Sequence, residues 1–137
     1  MFFDQIGREL QQESGMPHTY YEVLVRLSEA PGRRLRMSEL ADRSQSSRSR
    51  LSHAVSRLEE SGWVRREACP SDARGAEAVL TDEGFAALEA AAPGHVESVR
   101  RHLFDPLSPE QVRQLGEISR VLSDHLRAAG GTPHDCS

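Results

Sequence analysis

A mainly α fold with a small β-wing is what these 137 residues predict, and three observations predict it. First, the stretch 37–81 reads MSELADRSQSSRSRLSHAVSRLEESGWVRREACPSDARGAEAVLT. It orders a short helix, a turn, a longer helix closed by glycine, and two short extended runs around a polar tip. Second, apolar residues recur at helical spacing on both sides of that stretch. Third, charge is segregated. Residues 33–74 hold ten Arg against six acids, a net of +4, while the remainder holds seven Arg against fifteen acids, a net of −8. Helix, turn, helix and hairpin in that order make a winged helix-turn-helix, a DNA-reading unit, and a basic face on an acidic body suits a polyanionic partner.

The first helix is expected over 2–13, where Phe3, Ile6 and Leu10 form an apolar stripe at spacings of three and four. Ser14-Gly15-Met16-Pro17 breaks it. A second helix is expected over 18–30, with Tyr20, Leu24 and Leu27 on one face and Pro31-Gly32 ending it. His18, Tyr20 and Tyr21 are candidates to line a small-molecule pocket, because amphipathic aromatics offer a flat surface and a hydrogen bond; the competing reading makes the tyrosines core or interface residues. Leu35 and Arg36 are expected to form a short strand against the wing. The first helix of the helix-turn-helix covers 37–43, with Leu40 and Ala41 inward, and Ser44-Gln45-Ser46 makes the turn.

In the next helix Ser47 is the expected N-cap and Gly62 the expected C′ residue. Leu51, Ala54, Val55 and Leu58 fall on one stripe, and Ser49, His53 and Ser56 point the opposite way. Small hydroxyls permit close approach to a duplex, and Arg or His reaches base edges or phosphates. First-turn residues of such a helix do most of the base reading. The DNA-contact candidates are therefore Ser47, Arg48, Ser49, Arg50 and His53, with Arg57 on phosphate. A solvated polar face on a surface helix is the bland alternative, and the neighbouring elements weigh against it.

Strands are expected over 63–69 and 77–81, flanking the turn-rich segment 70–75. Arg74 at the tip is a candidate for the adjacent minor groove, whose narrow A·T-rich form attracts guanidinium groups. Asp72 is placed to hold that guanidinium by a charge-assisted hydrogen bond. An Asp-initiated turn beside a surface Arg is the competing reading.

These residues carry a resemblance. SELAD at 38–42, SRSRLSHAVSRLEESGWVRR at 47–66, and SDARG followed by VLTDEG at 71–84 resemble the MarR family of bacterial transcriptional regulators. The Asp72-x-Arg74 wing followed by Leu80-Thr81 and Gly84 is the most specific part. Similarity extends from about Leu10 to Ile118. The resemblance implies a dimeric, mostly helical DNA-binding protein, usually a repressor, often released by a small ligand or an oxidant. It also implies that effectors bind between the dimerisation helices and the DNA-binding lobe, near 18–30, and that the first helix joins the dimer interface. Peroxide-sensing members keep a reactive Cys in the first helix, where this chain has none.

Thr81 is expected to cap the next helix, with Asp82 and Glu83 favourable to its dipole. Phe85, Leu88, Ala92, Val96, Val99 and Leu103 continue one stripe, and Pro93-Gly94 predicts a kink or break near residue 92. His95 and His102 read as packing or surface residues, since their spacing does not suit a metal. Ser108-Pro109-Glu110-Gln111 is a capping box with proline at the first helical position. Val112, Leu115, Ile118, Leu122 and Leu126 then form a stripe about four turns long. A chain of this size does not need all of it for its own core, and pairing with a second subunit accounts for it. Residues 130–137 read as a mobile polar tail.

The reading is one domain over 1–137: a winged helix-turn-helix lobe at 33–81, dimerisation through N- and C-terminal helices at 1–30 and 82–128, and a tail at 129–137. Expected partners are double-stranded DNA, a second copy of the chain and a small-molecule effector. The long apolar run of a membrane span is absent, and MFFDQIGREL has neither the basic start nor the apolar core of a signal peptide, so a cytoplasmic location is expected. All seventeen basic residues are Arg, a codon-usage sign of a GC-rich genome. Cys69 and Cys136 match no zinc or CxxC spacing and are expected to be reduced thiols, with Cys69 near Arg65 and Arg66 a candidate for a lowered pKa. No catalytic, cofactor or metal site is expected: there is no glycine-rich phosphate loop, nucleophile elbow or HExxH, and His53 among serines lacks the pocket and orienting group a catalytic base requires. The functional alternative is a winged-helix protein-interaction module without specific DNA binding.

Overall fold

The computed structural model describes residues 1–44, 46–69 and 72–129, without the side chains of Phe3, Asp72, Ala73 and Arg74. The expected tail at 130–137 lies outside the described residues.

Helix α1 (Phe2–Ser14) buries Ile6 and Leu10 and stops at Gly15, whose φ of 69° is left-handed. Helix α2 (His18–Glu29) runs through the middle of the core, with Val23, Leu24 and Leu27 at 0% exposure. Tyr21 is buried, whereas Tyr20 is half-buried and packs against the core from its edge. A tight turn at Pro31–Arg33 follows. Arg33 takes a positive φ of 56° there. Its guanidinium lies 3.9 Å from the centre of the Phe85 ring and 3.5 Å from Asp82, contacts that offset part of the strain.

Strand β1 (Arg34–Arg36) leads into α3 (Met37–Arg43) and α4 (Arg48–Glu60). Strands β2 (Val64–Cys69) and β3 (Asp72–Leu80) complete an antiparallel sheet in the order β1-β3-β2. Side chains alternate across a strand. Leu35, Val64, Ala78 and Leu80 therefore share the face turned to the core, and all are buried. Strand β3 starts five residues before the expected Glu77, because its pairing with β2 continues outward to Cys69 opposite Asp72 across a bulge at Ala68/Cys69. Of the turn expected over 70–75, residues 72–75 belong to the strand, and 70–71 lie outside the described residues. A Cβ on Gly75 would stand 2.9 Å from the Arg36 guanidinium and 3.2 Å from Cys69 Cβ.

Helix α5 (Asp82–Val99) corrects the break, though not the kink, that Pro93-Gly94 predicts. It continues through Pro93 and Gly94 without a break and passes into a π-helical turn at Arg100–Phe104. Proline deprives the Glu89 carbonyl of its helical donor. Glu89 and Pro93 are both exposed, so water can serve that carbonyl. The expected stripe also divides: Leu88 is buried but Val96 is 61% exposed, and the inner face passes through Ala91 and Ser98.

Ser98 meets α1. Its hydroxyl donates to Glu9, which also accepts from Gln5 at 3.0 Å and Arg101 at 3.0 Å and lies 2.8 Å from His102 Nε2. Ser98 first, then Gln5, His102 and Arg101, hold the Glu9 carboxyl far below the usual carboxylate range.

Helix α6 (Pro109–Ala129) opens with the expected capping box: the Ser108 N–H donates to Gln111 Oε1 at 2.9 Å and the Gln111 N–H to Ser108 Oγ at 3.2 Å. No residue of α6 is buried, and Ile118, Val121, Leu122 and Leu126 are 58–68% exposed. Among the described residues no helix is long and apolar enough to cross a membrane.

Candidate nucleic-acid interface

Helix α4 is held at both ends as its sequence foretells. Ser47 Oγ accepts the Arg50 N–H at 3.2 Å. At the other end Gly62 takes a φ of 78°, Trp63 N–H reaches the Leu58 carbonyl and Gly62 N–H the Glu59 carbonyl, both at 3.0 Å, which makes a Schellman motif. Leu51, Ala54, Val55 and Leu58 are at 0–2% exposure. Burying them fixes the rotation of the helix, so Ser47, Arg48, Ser49, Arg50, His53 and Arg57 are all exposed together along its outer side. Arg57 forms an ion pair with Glu60 at 3.2 Å.

The wing stands beside that face, and one contact joins them. Arg66 shares a strand face with Val64, but lies past the edge of the core, where it meets the polar side of α4. Its Nη2 donates to the Ser52 carbonyl at 2.8 Å and lies 3.3 Å from Ser52 Oγ and 3.1 Å from Ser56 Oγ, while Nε is 3.1 Å from Glu59. Ser56, expected on the outer face, is thus engaged by the wing. On the opposite face of the sheet Glu67 and Glu77 are cross-strand partners. Arg34 lies between them, at 3.4 and 3.6 Å, and Arg65 reaches Glu67 at 3.1 Å, relieving the repulsion of like charges in register. The side chains of Asp72 and Arg74 lie outside what is described; their backbone belongs to β3.

Comparison with known proteins adds the following. A family model described as MarR family matches residues 14–75. The transcriptional regulator PecS of Dickeya dadantii is 36% identical over 78 residues, which are 57% of this chain and 46% of PecS. The chain thus aligns with about half the length of PecS. The transcriptional repressor YetL of Bacillus subtilis is 30% identical over 112 residues, 80% of this chain and 67% of YetL. The crystal structure of Sco3205, a MarR family transcriptional regulator from Streptomyces coelicolor in complex with DNA, superposes with a TM-score of 0.83 at 58% identity, covering 91% of this chain and 79% of that one. The chain belongs to the MarR family of transcriptional regulators.

In this MarR-family chain the ligand candidates divide. His18 is exposed at the start of α2 and Tyr21 is buried one turn on, and both face His95 of α5, with ring centroids 5.7 and 4.4 Å apart. Tyr20 packs against the core cluster. His95 was expected only to pack or face solvent; its Nδ1 is buried without a hydrogen-bond partner among the described residues. Burial, then the nearby His18, lowers the pKa of His95, and burial raises that of Tyr21. His102, expected to pack or face solvent, is partly exposed and lies against Glu9. No described cluster of three or more His, Cys, Asp or Glu is arranged to hold a metal.

Cys69 departs from expectation. It is buried and disulfide-bonded, not a reduced thiol. Arg65 and Arg66, the cations expected to lower its pKa, are directed to Glu67 and to α4. Sequence reasoning placed Arg66 on the wing but missed its reach across to α4. The alternation that puts Val64 inward is the signal for it, because Arg66 must then lie on the same side.

Proposed function

We propose that this MarR-family chain is a homodimeric repressor that binds a pseudo-palindromic operator, with DNA binding and not catalysis as its activity. One observation carries the reading: Arg48, Ser49, Arg50 and His53 stand exposed on the first two turns of a helix whose opposite face is buried, beside a three-stranded wing. Two such helices would enter successive major grooves about 10 bp apart, with Arg57 on phosphate and Arg74, steadied by Asp72, in the flanking minor groove. Similarity to Sco3205, described in complex with DNA, and to the repressor YetL supports both the partner and the sign of regulation.

The chain is read as one domain, with 33–81 as the DNA-reading lobe and 1–30 and 82–128 pairing two subunits in the cytoplasm. The exposed Ile118, Val121, Leu122 and Leu126 stripe supports the pairing. A small-molecule effector would act near His18, Tyr20 and Tyr21, binding the DNA-competent and incompetent dimers with different affinity.

Selection of bound duplexes from random DNA, followed by sequencing, tests the reading. Enrichment of a two-fold symmetric motif with half-sites about 10 bp apart is expected. Absent or salt-insensitive binding would overturn it in favour of a protein-interaction module.

A further inference from the structure

We infer that Arg66 is a positioning residue for DNA recognition: it sets the angle between the wing and the recognition helix, and does not itself bind the duplex. The inference rests on the DNA-binding function proposed above.

Four acceptors converge on one guanidinium. The Ser52 carbonyl, Ser52 Oγ and Ser56 Oγ lie 2.8–3.3 Å from Nη2, and Glu59 lies 3.1 Å from Nε. All belong to α4, and Arg66 belongs to β2. The contact sits two residues beyond Val64, which is the last residue of β2 on that face to be buried. Outward from Val64 the ladder to β3 continues, while Arg66 and Ala68 on that face of β2 are exposed. A planar donor with several N–H groups can serve two serines and a carboxylate of a neighbouring helix at once; an ammonium ion is a point charge without that geometry. The carbonyl contact is independent of side-chain rotamers on α4, so it reports the distance between strand and helix directly. Arg66 is about one-third exposed, and its Nη2 and Nε are directed at protein. The neighbouring Arg65 is occupied on the other face of the strand by Glu67, so it cannot substitute.

The test is a titration of the best duplex selected by the wild-type protein, using wild type, Arg66→Ala, Arg66→Lys, Arg74→Ala and the double variant Arg66→Ala/Arg74→Ala. Thermal melts accompany each, so that losses are read only from folded protein. A positioning role predicts that Arg66→Ala and Arg66→Lys both weaken binding about tenfold. It also predicts that Arg74→Ala has little further effect once Arg66 is gone, because residues that act through one another do not add. Retained affinity in Arg66→Lys would instead mark a phosphate contact, which lysine can make, and would overturn the inference. Losses that simply multiply in the double variant would overturn it too. Should Arg66→Ala fail to fold, Arg66→Lys and the pair Ser52→Ala and Ser56→Ala carry the same test, with wild-type affinity in all three overturning the role. If the wild-type protein selects no duplex, the DNA-binding function itself fails; if Arg74→Ala binds as wild type, the wing contact fails; the inference falls with either.

Discussion

The hydroxyl of Thr81 donates to the carbonyl of Gly62 at 2.7 Å while accepting the Gly84 N–H at 3.0 Å. One side chain therefore joins the end of α4 to the start of α5. The Thr81 N–H adds a bond to the Trp63 carbonyl at 3.0 Å. The helix proposed to read DNA and the helix that packs on α1 are fastened at this point, so a change in one lobe has a short path to the other.

That junction predicts two stability losses. Thr81→Ala removes an N-cap and a hydrogen bond and should cost about 1–2 kcal/mol in urea unfolding. Gly84→Ala should cost about 1–3 kcal/mol or more, since a Cβ there would stand 2.1 Å from the Trp63 carbonyl oxygen. A Gly84→Ala protein as stable as wild type would show that the close approach is relaxed in solution.

Arg74→Ala should weaken operator binding by about 1–3 kcal/mol in a band-shift titration. The slope of log affinity against log salt should also fall by roughly one unit. An unchanged slope with unchanged affinity would remove the wing from the interface.

Glu9 predicts a limb of the stability-pH profile. Its carboxyl is depressed from 4.5 by Ser98 first and then by Gln5, His102 and Arg101. The stabilisation is therefore fully present above about pH 4.5 and is lost as pH falls below it toward the folded value. Thermal melts of Glu9→Gln should start lower at neutral pH and lose less on acidification than wild type. Parallel curves would show that these contacts do not persist in solution.

His95 acts in a different window. Its pKa is lowered from 6.5 by burial and by His18, so the folded state resists a proton that the unfolded chain accepts. Stability should fall as pH drops below about 6.5 and level off beneath the folded value. His95→Phe, which keeps a ring against Tyr21, should flatten that portion of the curve; an identical pH dependence in the variant would assign the effect elsewhere.

Leu122→Arg should convert the proposed dimer to monomer in light scattering, since a charge left unpaired in an apolar interface costs on the order of 3–5 kcal/mol. A dimer that persists would place the subunit interface away from α6.

Local chemistry was legible in the chain itself. Ser47, Gly62, Thr81 and the Ser108–Gln111 box act within four residues of the ends they close, so their roles follow from short-range geometry. The exposed row of Ser47, Arg48, Ser49, Arg50, His53 and Arg57 followed from helical periodicity once Leu51, Ala54, Val55 and Leu58 were assigned inward. Only the tertiary structure decided what long-range proximity governs. It paired β3 outward to Asp72, carried α5 through Pro93, turned Val96 out and Ser98 in toward Glu9, and brought His95 against Tyr21. Arg66 belongs to both accounts: alternation along β2 chooses its side, but only the packing of the sheet on α4 puts Ser52, Ser56 and Glu59 within its reach.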